Sequence, residues 1–437
     1  MNDLAWINTL PKAWKAKPLR AVADYVVSNV DKVPADDEMP VRLCNYTDVY
    51  NNEFITLGLD FMQATATENE IATFGLAVGD VIITKDSESW DDIGVPALVR
   101  ESASDLVCGY HLALLRPRKQ EVNGDFLFRC LQAKPVRVQL ELAANGVTRF
   151  GIPKNDIGAA TLPVPPLPTQ RAIADYLDRE TTRIDALIAA KERVLALLAE
   201  KRRALITRAV TKGLDPTVPM KDSGIPWLGK IPAHWEIVAL RFVVDITSGA
   251  TPDTGRAEYW DGEIPWVSPK DMKRDEIADA EDHVSDLALS QRSLRLIEPG
   301  AVLIVVRGMI LAHSFPTAVT TAPVTINQDM KALRCRESLD PYYLRDFFRG
   351  HEEHVVSLAD SSAHGTRKLE TEILGRFEIA LPPAAEQRAI TGYIGHSTSR
   401  LDALRAATER TIALLKERRS ALIAAAVTGQ IDVGGSA

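Results

Sequence analysis

The chain has 437 residues with a formal net charge of −8, 46% hydrophobic and 25% charged residues. This is ordinary globular composition, long enough for two or three domains, and no apolar run reaches the ~18 residues of a membrane span. Cys44, Cys108, Cys130 and Cys335 are scattered without a CxxC pair, which excludes a disulfide framework and a zinc site and reads as buried thiols.

The first residues, MNDLAWINTLPKAWK, lack a basic-then-apolar leader pattern, so a cytoplasmic protein is expected. Residues 1–165 read as a globular mixed α/β half. Val78–Thr84 and Leu112–Arg116 are short strand-like runs, and Phe126–Leu142 looks helical. Polar loops separate them, among them Lys85 to Asp92 and the turn around Gly146. A proline cluster, Pro163 to Pro168, then precedes a long helix over 166–213. No Pro or Gly interrupts Gln170 to Lys212, and Ala, Leu, Arg, Glu and Lys dominate. Leu177, Ile184, Leu198 and Leu205 keep a seven-residue spacing, with Lys191 interrupting. That spacing makes one apolar seam, as in a coiled coil. Leu187 and Val194 are expected to add a second row. Gly213 ends the helix, which at ~1.5 Å per residue spans roughly 60 Å.

A proline- and glycine-rich stretch follows. It reads as irregular, with the linker at 214–226. Residues 227–380 then repeat the first half. Trp227 to Trp235 follows the pattern of Trp6 to Trp14 at an offset of 221, and Gly300-Ala-Val-Leu-Ile matches Gly79-Asp-Val-Ile-Ile at the same offset. Val302–Arg307 and Met330–Arg334 are the strand-like runs, and Tyr342–Leu358 the helical one. His364-Gly-Thr-Arg367 matches Gly146-Val-Thr-Arg149, with Thr and Arg at offset 218. A second long helix over 381–433 follows Pro382 and Pro383. Gln387–Asp432 is identical to Gln170–Asp215 at 26 of 46 positions without a gap, at offset 217. Its seam is Ile394, Leu401, Leu415 and Leu422, with Thr408 at the interruption and Leu404 in the second row.

A long helix with one stripe cannot bury itself, and its obvious partner is the other copy. The expected fold is therefore α/β (α+β): two globular halves separated by two long antiparallel helices in a coiled coil, with an internal pseudo-twofold repeat. Lysine and arginine exceed acid by four over 168–213 and by two over 384–433, which leaves −14 elsewhere. A negative total says little about a local binding face.

No catalytic constellation emerges. Gly224 to Ile231 mimics a phosphate loop, but Ile231 replaces the magnesium-binding hydroxyl and Pro226 and Trp227 crowd the loop. Asp340-Pro-Tyr-Tyr343 lacks a second proline and a cofactor loop, and reads as a capped helix start. There is no HExxH or GxSxG. His351 and His354 read as a solvated helix face rather than metal ligands. No cofactor and no metal are expected.

The segment KDSGIPWLGKIPAHWE at 221–236 resembles the opening of a target-recognition half in the specificity (S) subunits of type I restriction-modification systems. PPLPTQRAI at 165–173 and PPAAEQRAI at 382–390, leading into IDAL at 184–187 and LDAL at 401–404, resemble that family's two conserved helices. IPWVSPKDM at 264–272, GDVII at 79–83 and NQD at 327–329 are similar to pieces of its recognition domains. The resemblance implies a non-catalytic subunit in which each half reads one part of a bipartite, asymmetric double-stranded DNA site. The helices would set the spacer and dock two methyltransferase (M) subunits, and restriction (R) translocase-nuclease subunits would join. Methyl donor and ATP would belong to those partners, with no membrane involved. Readout needs Arg, Lys, Asn or Gln at base edges and cations on phosphates. The candidates in polar loops are Lys85, Arg149 and Lys154 in the first half, and Lys270, Arg307, Arg367 and Lys368 in the second. A second reading is a coiled-coil scaffold that joins partners without contacting DNA.

Overall fold

The computed structural model describes residues 5–290, 294–361 and 366–433. The chain forms two compact units, Met1–Glu192 with Arg410–Ala437, and Arg193–Glu409. Each unit thus takes part of both long helices, Leu167–Lys212 and Ala384–Val427.

Every sheet of the first unit recurs in the second. The first unit's central five-stranded sheet runs Ala23–Val27, Leu112–Pro117, Val81–Thr84, Pro96–Val99, Phe54–Ile55. The second has Val244–Ser248, Met330–Cys335, Ala301–Val305, Thr317–Thr320, Glu276–Ile277 in the same order. In both, the last pair is parallel and the others antiparallel. The inner strands are buried on both faces, which is why they read as β-branched runs rather than alternating ones. Gly79 and Gly300 turn into the equivalent strands Val81–Thr84 and Ala301–Val305 with φ of 94° and 88°, a conformation that favours glycine.

The two helical stretches expected at 126–142 and 342–358 are each broken. Gly124–Gln132 is followed by Lys134–Ala143, with Pro135 opening the second piece, and Pro341–Gly350 by Glu352–Ser357. Gly350 sits where a Cβ would lie 3.1 Å from the Thr207 Cα, so the long helix passes closely over that break.

The seam divides its work. Ile173 and Leu177 join Ile423, Ala426 and Val427 inside the first unit's core. Ile390 and Ile394 join Ile206, Ala209 and Val210 inside the second. Ile184 and Leu198 are buried, while Leu205, Leu401, Leu415 and Leu422 are half-buried. Within each unit, numbering rises along one helix segment as it falls along its neighbour: Asp185 meets Arg419 at 2.9 Å in the first, and Arg202 meets Asp402 at 3.4 Å in the second. The helices are therefore antiparallel within each unit, and the offset of 217 carries one ion pair onto the other. The expected second row is not buried: Leu187, Val194 and Leu404 are 47%, 36% and 51% exposed. Thr181 and Thr398 are buried instead, with hydroxyls donating to Leu177 O and Ile394 O. A helix satisfies those hydroxyls internally, so a polar residue can lie inside the stripe.

The glycine-proline stretch after Gly213 is not wholly irregular. Met220–Asp222 pairs antiparallel with Lys230–Pro232. Gly224 and Gly229, at φ of 76° and 69°, let the intervening loop turn. This hairpin delivers Pro232 and Trp235 to Gly213, and Pro11 and Trp14 meet Gly429 in the same way. The duplicated Pro-x-x-Trp signature is thus a cradle for the left-handed glycine ending a long helix. Trp227 stacks on His354 at 4.2 Å. His351 is buried, bonded to Phe347 O and Thr211 Oγ1. The expected solvated histidine face is therefore an inner packing layer, formed because the long helix and Trp227 cover it.

Candidate nucleic-acid interface

Each unit also has a small three-stranded sheet, and most of the candidate cations lie on or beside it. In the second unit Arg307–Gly308 pairs with Arg367–Lys368, which pairs with Asp360–Ser361. Arg307, Arg367 and Lys368 thus come together from positions sixty residues apart in sequence. Arg307 and Lys368 are each 52% exposed as side chains, and Lys368 Nζ lies 2.7 Å from Glu370. Met309 follows Arg307 closely and is 71% exposed. Beneath them Lys331 is buried, its Nζ donating to Ser248 Oγ at 2.9 Å. Burial, joined by the like charge of Lys368, lowers its pKa, while Glu370 opposes the shift. His364 and Gly365, aligned with Val147's neighbourhood by sequence, lie outside the described residues.

In the first unit Asn145–Gly146 pairs with Phe150–Gly151, which pairs with Asp86–Ser87. Lys85 and Arg149 flank these strands. Lys85 Nζ is held by Asp86 Oδ1 at 2.7 Å, and His111 Nδ1 lies 2.5 Å from Asp86 Oδ2. Burial is the largest single influence on Asp86 and pushes its pKa up, but Lys85 and His111 together outweigh it and draw the carboxyl below its usual range. Arg149 is exposed and lines a cavity of about 870 Å³ with Tyr46, Tyr50, Thr148 and the carboxylates Asp86, Glu88 and Asp92. Tyr46 and Tyr50 stack at 5.5 Å. A basic residue, hydrogen-bond acceptors and aromatic faces around one concave surface suit the edges of bases, while the three carboxylates disfavour phosphates there. Tyr46, Tyr50, Asp86 and His111 carried no motif in the sequence. Only the local helix start around Tyr46 left a trace, because Asn45 and Asp48 form a capping box there.

Lys154 and Lys270 do not join these sheets by any strand pairing. Lys154 is exposed at the start of the helix Lys154–Ala159, whose Ile157 is buried in the core. Lys270 sits in the capping box Ser268 to Asp271, equivalent to Asn45 to Asp48, with Nζ 3.0 Å from both Glu281 and Asp282. Those carboxylates raise its pKa and neutralise its charge locally. On the helices, Arg202 and Arg419 are spent on the cross-helix ion pairs.

Among the described residues no group of three or more His, Cys, Asp or Glu could hold a metal, and no helix is long and apolar enough to cross a membrane. Cys44, Cys108 and Cys130 are buried free thiols, and burial pushes the pKa of each upward.

The sequence model of the type I restriction modification DNA specificity domain matches residues 11–196 and 232–412, one match for each repeat. The chain belongs to this specificity family. Among curated relatives, the type I restriction enzyme EcoR124I/EcoR124II specificity subunit of Escherichia coli is 30% identical over 179 residues, 40% of this chain and 41% of that one. A putative type I restriction enzyme MjaX specificity subunit of Methanocaldococcus jannaschii is 22% identical over 394 residues, 88% of this chain and 86% of that one. The match therefore spans about two fifths of the first relative and most of the second. A chain solved in work on complex assembly and conformational transition of the type I restriction-modification system superposes with a TM-score of 0.74 at 20% identity, over 97% of this chain and 99% of that one. At that identity the likeness establishes a shared fold. The two family matches begin and end near the two α/β bodies and their following helices, so the repeat seen in the sheets is the family's repeat.

Proposed function

We propose that this chain is the DNA sequence-specificity subunit of a type I restriction-modification complex, with each unit reading one part of a bipartite, asymmetric duplex site. One observation carries this reading. The same four sheets occur twice, yet the small sheets differ at equivalent strand positions, with Asp86, Phe150 and Gly151 in one where the other has Arg307, Arg367 and Lys368. A duplicated frame with dissimilar small sheets is what two different half-sites require. The long helices, each running from one unit into the other, serve as the spacer-setting element and as the dock for two methyltransferase subunits. Restriction subunits join that assembly. The chain itself holds and orients DNA, and chemistry on the base belongs to its partners.

Co-expression with the methyltransferase partner, followed by single-molecule sequencing of methylated bases, tests this. A split, non-palindromic motif that needs both proteins is expected. Methylation without sequence preference, or assembly that leaves duplex DNA unbound in mobility shifts, refutes it and favours a scaffold that only joins proteins.

A further inference from the structure

One residue pair occupies the same backbone position in both units with its polarity reversed. Lys85 N donates to His111 O at 2.8 Å, and Val306 N donates to Asp329 O at 2.8 Å. Lys85 therefore corresponds to Val306, and His111 to Asp329. The following residues, Asp86 and Arg307, correspond as well, and each opens the equivalent strand of its small sheet. In the first unit the carboxylate is on the strand and the ring nitrogen on the loop, 2.5 Å apart. In the second the guanidinium is on the strand and the carboxylate on the loop, with Arg307 Nη1 3.5 Å from Asp329 Oδ1.

The fold accepts either polarity, so the strand does not require an arginine there. The two versions also differ in what remains available. The Asp86 side chain is 14% exposed and already holds both Lys85 and His111. The Arg307 side chain is 52% exposed and, among the described residues, has a single long contact, which leaves most of its five donors without a partner there. The backbone that carries the Asp329 side chain is fixed. Its N–H donates to Asn327 Oδ1 at 2.6 Å, and its carbonyl accepts from Val306 N and Arg307 N. A guanidinium fork with a carboxylate beside it on a fixed backbone suits the paired O6 and N7 acceptors of guanine in the major groove.

We propose that Arg307 reads a guanine in the half-site of the second unit, with Asp329 as the positioning residue that aims it. The inference rests on the specificity reading above and goes beyond it by assigning a residue and a base. It is tested on the complex with its methyltransferase, by the methylated motif. The wild-type motif is the control: its absence would overturn the specificity reading, and this inference with it. Given that motif, Arg307→Ala should relax one G·C position by about 10- to 100-fold, with the other half-site unchanged. Arg307→Lys keeps the charge but not the fork. It should relax the same position while overall methylation stays near wild type. Asp329→Asn should give a smaller relaxation at that position and add nothing to Arg307→Ala, whereas a purely structural role would lower methylation at every position alike. A motif as sharp as wild type in both Arg307 variants overturns the inference. So does relaxation at an A·T position, or total loss of methylation in Arg307→Lys with assembly intact.

Discussion

Gln170 offers the sharpest test of how the long helix is fixed to its recognition body. It is fully buried. Its Oε1 accepts from Asn123 N at 2.8 Å, and its Nε2 donates to Glu121 O at 3.0 Å and Pro165 O at 2.9 Å. Asn123 in turn caps Gly124–Gln132, its Oδ1 accepting from Phe126 N. One side chain therefore pins the start of the long helix to the start of a core helix. The offset of 217 carries every member to the second unit: Gln387 accepts from Asp340 N at 2.7 Å and donates to Ser338 O and Pro382 O, both at 2.8 Å. Gln170→Leu keeps the volume but strands one donor and two acceptors. A buried unsatisfied group costs roughly 1–3 kcal/mol, and two of the three lie where water can partly reach, so about 3–5 kcal/mol is expected. For a unit of this size that lowers the melting temperature by roughly 10 °C. Urea unfolding combined with hydrogen exchange resolved by segment is the assay, since two units need not unfold together. Gln170→Leu should weaken the first unit, and Gln387→Leu the second, by similar amounts. An unchanged midpoint in either variant would refute the clamp.

Gly429→Ala adds a Cβ 2.6 Å from the Pro11 ring at φ of 71°, whereas at Gly213 the nearest atom is 3.0 Å away on the flexible Glu386 side chain. Both substitutions should destabilise, by at least about 1 kcal/mol, and calorimetry should show Gly429→Ala as the worse. His351 is neutral in the fold because burial lowers its pKa to about 4 from 6.5. The unfolded chain binds the extra proton first, so the second unit should lose stability as pH falls from about 6.5 towards 4, by about 2–3 kcal/mol. His351→Gln should flatten that slope in pH-dependent unfolding. Arg419 is held by both Glu53 and Asp185 and is 18% exposed, whereas Arg202, among the described residues, pairs with Asp402 alone and is 30% exposed. Arg419→Ala should therefore cost more than Arg202→Ala, which should fall within about 1 kcal/mol in denaturant titration.

Much of the architecture was legible because repetition and helix periodicity are local properties of a chain. The offset of 217 predicted twin helices, and Gly213 and Gly429 marked their ends. Burial of the central strands made them readable as β-branched runs. The misreadings came where packing overruled local pattern. Leu187 and Leu404 fit the heptad yet face outward, while the polar Thr181 and Thr398 are buried. His351 looked surface-bound until Thr211 and Trp227 covered it. On the interface, Arg307, Arg367 and Lys368 could be picked out singly as cations in polar loops, but not as neighbours. Asp86 and His111 gave no signal, since hydrogen-bond partners distant in sequence leave no spacing to read, and Tyr46 was marked only by the capping box before it.

Sequence alone determined that the molecule is built twice, from α/β halves each followed by a long helix, and it supplied the family. Which residues meet was decided by the tertiary structure. Antiparallel packing places the end of each long helix in the core that begins the other, under a Pro-x-x-Trp cradle. Strand register then sets a carboxylate against a histidine in one unit and against an arginine in the other. Those pairings join segments far apart in the chain, and only the closing of the sheets brings them within reach.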